Sequence, residues 1–287
     1  MLVDVRFSGK MPLIRIHGFV MTSDQHPVSD FRESSDEQPT KIRWVVFVLC
    51  CGTSMMLYLH RYTFALIKPK LKAEWQLSNT ELGWMDTAFS MCYMAFQVPS
   101  GILADVAGTH VFLGVLILVW TGGLALHALA PNVPTMVAAR AVLGIGQAGT
   151  YPTLSRITRN WFPAPSRTSV QGWVAVFCGR IGAASSNLLF GAALVGILFS
   201  DDWRRALLVL VAMGVALAVA HLSLYRDTPR EHAWANDAEA ELIEGTTSKA
   251  PDKRMPMAEM FQGMRPKSVV NLLMLNTQSI LSTVADA

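Results

Sequence analysis

Polar and apolar residues alternate along this chain in long blocks, not at the short spacing of a soluble helix or strand. Six apolar runs of roughly 20 residues or more are separated by polar segments. A helix needs about 20 mainly apolar residues to cross a bilayer, so each run predicts a transmembrane span. The predicted spans are 44–66, 82–104, 111–130, 134–157, 169–198 and 205–225, and a seventh apolar run begins near residue 268.

The polar segments between these runs predict four regions. Residues 1–41 indicate a disordered cytoplasmic tail without the apolar core of a cleaved signal peptide. Residues 42–226 form the six-helix transmembrane bundle, and 227–267 form a cytoplasmic central loop. Within that loop, "NDAEAELIEG" predicts a short amphipathic surface helix. Residues 268–287 are expected to be a truncated seventh helix.

The distribution of Lys and Arg predicts the orientation. The tail, the link between spans 4 and 5 and the central loop together carry 16 of these residues, against 5 in the remaining loops. Basic residues accumulate on the cytoplasmic side of membrane proteins. We therefore expect a multi-pass protein of the cell (inner) membrane with a cytoplasmic N-terminus and the lipid bilayer as a partner.

Composition narrows the function classes. The chain is 52% hydrophobic and 16% charged, whereas a soluble domain carries about 25% charged residues. A net charge of +3, without a basic tract, argues against nucleic-acid binding. The four cysteines lie within apolar runs and are interpreted as small packed residues. Without metal-ligand spacing, a nucleotide-binding loop or a nucleophile constellation, we expect no metal, no cofactor and no catalytic residue, and so no enzyme.

Four segments resemble motifs of the major facilitator superfamily, in the same order along the chain. "YLHRYTFAL" is similar to the first-helix motif of its anion:cation symporter branch, which moves sugar acids, hexuronates, phosphate and other organic anions. "GILADVAGTH" resembles the signature between helices 2 and 3, but without the usual basic residues. "RAVLGIGQAGTYPT" and "NWFPAPSRTSVQGWV" resemble the fourth helix and the link into the fifth. The matching gating and structural positions are Gly101, Asp105, Gly108, Arg140 and Gly144.

The resemblance implies an all-α membrane protein in which two six-helix halves rock against each other. This chain would be the N-terminal half plus a stub of helix seven, and its missing partner would be the C-terminal half. Asp105 would act in a cytoplasmic gate, with one of the three arginines between spans 4 and 5 as its partner.

Polar residues inside the spans indicate a binding cavity. Arg180 lies about twelve residues into its span, about 18 Å deep, too far to reach either surface. It must face water, an acid or an anionic ligand, and a structural salt bridge remains the alternative to a substrate contact. On two helices, polar residues recur at i, i+4, i+7 and i+11 and so share a face. One face carries Arg140, Gly144, Gln147 and Tyr151, and the other carries Arg180 and Asn187.

Arg61 is implied by the resemblance to contact the substrate anion, because the matching Arg does so in the family. A guanidinium group presents a planar fork of donors that suits a carboxylate or phosphate. Tyr58, three residues earlier, could add a hydroxyl. The predicted substrate-binding set is therefore Arg61, Arg180, Tyr58, Gln147, Tyr151 and Asn187.

Two departures from the family pattern bear on proton coupling. His60 stands where the branch usually keeps Asp, and Gln147 stands where it usually keeps Glu, so neither matched position holds a carboxylate. His60 and Asp86 are the remaining candidates for proton coupling. We expect Asp86 to pair with Arg61 or Arg140 as a proton carrier, a gate latch or a purely structural ion pair. The alternative for His60 is a simple hydrogen-bonded residue.

The sequence thus favours a secondary active transporter of a small organic anion, a sugar acid or another carboxylate, working by alternating access. Protons are a partner if the carrier is a symporter. A uniporter or exchanger is the alternative without protons. A further alternative is a truncated, non-transporting fragment, and a half-size transporter that dimerises or a membrane sensor is a third reading.

Overall fold

The computed structural model describes residues 38–245, and within that range the chain is helical, with short links and no strand. All six predicted spans are helices, so the all-α prediction is confirmed. Most of the predicted tail, the end of the central loop and the predicted seventh helix lie outside the described residues. The helices are α1 (Ile42–Trp75), α2 (Asn79–Ala107), α3 (Thr109–Leu129), α4 (Val133–Ala148), α5 (Thr150–Trp161), α6 (Ala164–Leu198), α7 (Trp203–Leu224) and α8 (Asp237–Glu244).

Length and composition vary among the spans. In the part of the chain that the structure describes, four helices (α1, α3, α6 and α7) are long and apolar enough to cross a membrane by themselves. The fourth predicted span is divided at Gly149 into α4 and α5. The second, α2, carries Glu81, Asp86 and Asp105, which lower its hydropathy.

Local sequence explains where several helices begin. Ser78 accepts a hydrogen bond from the backbone N–H of Glu81, whose carboxylate accepts one from the Ser78 N–H, which is a capping box at the start of α2. Asn132 caps α4 and Asp202 caps α7. The side chain of each accepts a hydrogen bond from the backbone N–H three residues later. These polar residues satisfy N–H groups that the first helical turn leaves unpaired.

Close packing in the bundle depends on small residues on facing helices. A Cβ atom on Gly144 of α4 would lie 2.5 Å from the carbonyl oxygen of Phe89 on α2. One on Gly146 would lie 2.5 Å from the backbone nitrogen of Trp120 on α3. α4 therefore packs between α2 and α3 with its backbone against theirs, which only glycine at these positions allows.

The link between α7 and α8 folds against the end of the bundle where α1 begins, which we call the proximal end. Buried Glu239 of α8 accepts hydrogen bonds from the hydroxyl of Thr40 and from the backbone N–H groups of Ile42 (3.3 Å) and Arg43 (3.1 Å). α1 has no cap from its own preceding residue. The predicted surface helix in "NDAEAELIEG" is confirmed as a helix, and it caps α1 through a residue nearly 200 positions away.

A second proximal contact holds α3 to the segment after α7. Gly108, at a φ of 81°, precedes α3 and provides no side-chain cap. Asp227 instead accepts hydrogen bonds from the Thr109 hydroxyl and from the His110 N–H at 2.8 Å. A Cβ on Gly108 would lie 2.6 Å from the Asp227 carboxylate, so both the φ and the close approach require glycine here.

Candidate anion-binding site

Arg61 of α1 lies at the centre of a cluster formed with α2 and α4. Its Nε donates a hydrogen bond to Oε1 of Gln147 at 3.0 Å, and Nε2 of Gln147 donates to the carbonyl oxygen of Leu57 at 3.1 Å. Gln147 is fully buried. Because the amide uses both of its ends, it holds the guanidinium plane in one orientation.

Aromatic rings surround the Arg61 guanidinium. Its Cζ atom lies 4.8, 5.1 and 5.3 Å from the ring centres of Tyr93, Phe89 and Tyr58. Ring faces attract a cation electrostatically but do not neutralise it. Nη2 of Arg61 is buried without a hydrogen-bond partner among the described residues. The cluster is therefore a cationic donor without a carboxylate in contact, and it suits an anion.

Phe89 and Tyr93, four residues apart on α2, were not among the residues predicted from the sequence. Their rings stack with centres 5.9 Å apart. The signal was present as an aromatic pair at i and i+4, which places both rings on one helix face. Nothing in that spacing showed that this face would meet Arg61, because the tertiary packing of the bundle decides which side chains the face contacts.

Tyr58 and Tyr151 extend the cluster toward α6, with ring centres 6.4 Å apart. The Tyr151 hydroxyl shares a 3.0 Å hydrogen bond with the hydroxyl of Ser54. A Cβ on Gly179 of α6 would lie 2.8 Å from Cε2 of Tyr58 and 3.4 Å from the Tyr151 hydroxyl. Tyr58, Gln147 and Tyr151 are thus in one region with Arg61, as the sequence analysis expected.

Arg180 and Asn187 lie on an exposed face of α6. Arg180 follows Gly179, which packs on Tyr58, but the structure gives Arg180 no hydrogen bond or ion pair with any residue in 38–245. The alternative of a structural salt bridge therefore has no support among the described residues. A shared contact of Arg61 and Arg180 with one anion stays a prediction.

Asp86 of α2 forms ion pairs with two cations near the distal end of the bundle, opposite the proximal end. Its Oδ1 lies 3.2 Å from Nη2 of Arg140, and its Oδ2 lies 2.6 Å from Nζ of Lys68. Of the two arginines considered for Asp86, the structure pairs it with Arg140. Lys68 was not predicted as a partner, because it lies in a polar segment that gave no sign of belonging to the α1 helix.

His60 does not join the Arg61 cluster. It is fully buried, and its ring lies near the backbone carbonyl of Leu210 on α7 without a hydrogen bond of normal length among the described residues. A Cβ on Gly214 of α7 would lie 3.0 Å from Cε1 of His60 and 2.5 Å from Oγ1 of Thr121 on α3. Successive residues of a helix point about 100° apart, which explains why His60 faces α3 and α7 while Arg61 faces α2 and α4.

The predicted gate residues lie at the proximal end. Asp105 forms an ion pair with Arg156, one of the three arginines considered as its partner. Gly101 faces α5, where a Cβ would lie 3.8 Å from Pro152. A pocket of about 330 Å³ opens beside this pair and is also lined by Arg159 and Arg167. All three arginines considered for the gate thus line the same pocket as Asp105, and Arg156 forms an ion pair with it.

A bundle of apolar helices with a buried, polar-lined cationic site defines an integral membrane protein of the transporter class. The profile of the Major Facilitator Superfamily matches residues 50–284. This chain belongs to that superfamily, a family of transporters and not of enzymes.

Its relatives include sugar-acid and organic-anion transporters. The chain is 28% identical over 231 residues to the "Probable sulfoacetate transporter SauU" of Cupriavidus necator, covering 79% of this chain and 53% of that protein. It is 26% identical to the galacturonate transporter of Dickeya chrysanthemi (70% and 57% covered) and 25% identical to the hexuronate transporter of Escherichia coli K12 (70% and 45% covered). The chain thus spans about half the length of these relatives.

A solved structure shares the fold. It is a bacterial homologue of the human lysosomal transporter Spinster in an inward-facing and occupied conformation, with a TM-score of 0.61 and 20% identity. The match covers 68% of this chain and 47% of that one. At this identity the likeness shows the fold alone, and it agrees with the prediction of a six-helix half of a major-facilitator bundle.

Proposed function

We propose that this chain forms the N-terminal half of a secondary transporter for a small organic anion, a sugar acid or another carboxylate. The observation that carries the proposal is the Arg61 guanidinium. It is fixed by Gln147 and surrounded by three aromatic rings, and its buried Nη2 has no hydrogen-bond partner within residues 38–245. An anion reaching this group would satisfy both its charge and its open donor.

The rest of the predicted site suits the same ligand. The hydroxyls of Tyr58 and Tyr151 lie on one side of the cluster, and the exposed amide of Asn187 and guanidinium of Arg180 lie on α6. Transporters of this kind bind substrate near the midplane, between two bodies that alternate their opening. The described helices supply one such body, so transport itself is proposed for an assembly that includes a second half.

Direct binding tests the anion claim. We expect the purified chain to bind galacturonate in calorimetry and not to bind galactose, a neutral sugar of similar size. Arg61→Gln removes the charge and the donor fork and is expected to weaken galacturonate binding by about tenfold or more. Arg205→Gln, which changes an exposed Arg paired with Asp202, is the matched control.

Two binding results would contradict the proposal, and uptake measurements bear on transport by the chain alone. Equal binding of galactose and galacturonate, or binding unchanged by Arg61→Gln, would exclude the Arg61 site. Binding without uptake into vesicles holding the purified chain is expected both of a half that needs its partner and of a non-transporting fragment, and it leaves the anion claim intact. Uptake by the chain alone would instead support a half-size carrier.

A uniporter or exchanger is a second candidate, favoured by the charges at the site. Arg61 has no carboxylate in contact among the described residues, Asp86 is already paired with Arg140 and Lys68, and His60 faces elsewhere. Proton symport would need either Asp86 or His60 to release and rebind a proton. Uptake that responds to membrane potential and counter-anion, but not to a pH gradient, would support this candidate, whereas loss of pH dependence in Asp86→Asn would support symport.

A further inference from the structure

Helices α1 and α6 run parallel and touch through their backbones. A Cβ on Gly182 would lie 2.2 Å from the carbonyl oxygen of Met55, so only glycine permits the approach. Farther along, a Cβ on Gly191 would lie 3.6 Å from Cδ1 of Leu66. Residue numbers rise together on both helices, so the pairing register is parallel.

Each of the two helices carries a cysteine one turn before the contact between Met55 and Gly182. Cys51 lies four residues before Met55, and Cys178 lies four residues before Gly182, so each lies one turn toward the proximal end. Their thiols lie close enough to influence each other electrostatically. Both are partly exposed, whereas the neighbouring Cys50 is buried in the core. A disulfide requires about 4.4–6.8 Å between Cα atoms, and the backbone contact at Gly182 holds α1 and α6 close together one turn away.

We propose that Cys51 and Cys178 form an oxidisable thiol pair that links α1 to α6. A disulfide oxidant such as oxidised glutathione would supply the chemistry. One thiolate attacks the oxidant to form a mixed disulfide and release one glutathione thiol. The second protein thiolate then displaces the other glutathione, so two electrons and two protons pass from the protein to the oxidant.

A disulfide between Cys51 and Cys178 would lie beside two side chains of the candidate anion-binding site. Gly179, next to Cys178, packs against Tyr58 and Tyr151 of the candidate site. A disulfide at Cys178, the residue next to Gly179, would therefore fix the distance between α1 and α6 beside those two tyrosines. The inference itself concerns only the two thiols and does not depend on whether the chain binds or transports an anion.

Thiol counting after treatment of the folded, purified chain with oxidised glutathione tests the proposal. Free thiols are alkylated in SDS and counted by intact mass. We expect the four thiols of the wild type to fall to two, and the three of Cys50→Ser to fall to one. Cys51→Ser and Cys178→Ser should each keep three, apart from any glutathione adduct. Digestion should yield a single cross-linked pair of peptides containing residues 51 and 178.

Gly182→Ala provides a test that leaves both thiols in place. The added methyl group must push α1 and α6 apart, so cross-linking should be slowed at least severalfold. Gly172→Ala in the same helix meets no atom within 4 Å and should cross-link like the wild type. The proposal is overturned if thiols are still lost as a pair in Cys178→Ser, if only glutathione adducts or dimers form, or if both glycine variants behave alike.

Discussion

Arg61 is oriented by the neutral amide of Gln147 and by aromatic rings. Because none of these groups is anionic, the positive charge of Arg61 is available to an anionic ligand. A carboxylate in place of Gln147 would compete with any bound anion for the same donors. Phe89 also contacts Arg140, whose Cζ lies 4.5 Å from its ring centre, so one ring contacts two cations that have different partners. Arg140 is paired with Asp86, whereas Arg61 has no carboxylate in contact among the described residues, so of these two cations Arg61 is the one available to a ligand.

Gln147→Leu should therefore weaken anion binding without removing the cation. The variant removes the acceptor of the Arg61 Nε and the donor to the Leu57 carbonyl, so the guanidinium loses its fixed orientation. Losing such a hydrogen bond to a charged group costs about 1.5–3 kcal/mol, and we expect galacturonate affinity to fall by about tenfold. Calorimetry measures the change. Gln171→Leu, at an exposed amide bonded to Ser155, is the control, and equal effects of the two variants would refute the orienting role.

The Arg230–Glu244 pair predicts a pH response outside the membrane. Two hydrogen bonds from Arg230, at 2.8 and 2.7 Å, hold the pKa of Glu244 below its ordinary value of 4.5. A lowered carboxyl pKa means that the pair stabilises the fold above the ordinary pKa and that this contribution is lost as pH falls through the lowered one.

NMR titration of the Glu244 carboxyl carbon measures this directly. We expect the pKa of Glu244 to rise toward its ordinary value in Arg230→Ala, because the donors are gone. Arg226→Ala, at a basic residue bonded to carbonyl groups and His110, serves for comparison and should leave the Glu244 titration unchanged. An unshifted pKa in Arg230→Ala would show that the pair does not persist in solution.

At the scale of helices, two ends at the proximal face are capped by residues distant in sequence. Glu239 caps α1 and Asp227 caps α3, and each accepts donors that the local sequence leaves open. Trp161 adds a third tie, donating from its Nε1 to the Arg226 carbonyl oxygen at 2.9 Å. The segment following α7 thus fastens the starts of two helices and the end of α5.

Glu239→Ala should destabilise the bundle through α1. The change leaves the Ile42 and Arg43 N–H groups and the Thr40 hydroxyl without their acceptor. Loss of a helix cap costs about 0.5–2 kcal/mol, and we expect a lower midpoint of thermal unfolding in detergent. Glu241→Ala, at an exposed position of the same helix, should change the midpoint little. If both variants lower it equally, helix propensity and not capping explains the effect.

At the scale of the whole molecule, the described helices expose large apolar side chains on α2 and α6. Trp84, Met91, Trp173 and Phe177 are among them, each at least half exposed. In a membrane such a surface faces lipid or another protein segment, and the face of α6 also carries Arg180 and Asn187. Polar side chains on an otherwise apolar face need water or a polar protein partner, so we do not expect this face of α6 to be covered by lipid alone.

The predicted orientation can be tested by cysteine accessibility. In a background with the four native cysteines replaced by Ala, Pro131→Cys lies in the distal link between α3 and α4, and Ala164→Cys lies at the proximal start of α6. Both positions are exposed. With a cytoplasmic N-terminus, a membrane-impermeant maleimide should label residue 131 in intact cells. Residue 164 should react only after the membrane is opened. The reverse pattern would invert the orientation.

The sequence alone determined the elements that depend on local composition. Apolar runs long enough to cross a bilayer must form helices there, because lipid offers the backbone no other hydrogen-bond partners. The six helices, the short helix in "NDAEAELIEG" and the shared face of Arg140, Gly144 and Gln147 all follow from such local rules. The ordered motifs also placed the chain in its superfamily.

Only the tertiary structure decided which helix faces meet. It paired Asp86 with Arg140 and Lys68, brought Phe89 and Tyr93 to Arg61, and directed His60 toward α3 and α7. It also placed Glu239 at the start of α1 and Cys51 beside Cys178. The helical period defines what shares a face but not what that face contacts, because packing angles and close approaches at glycines depend on all the helices together.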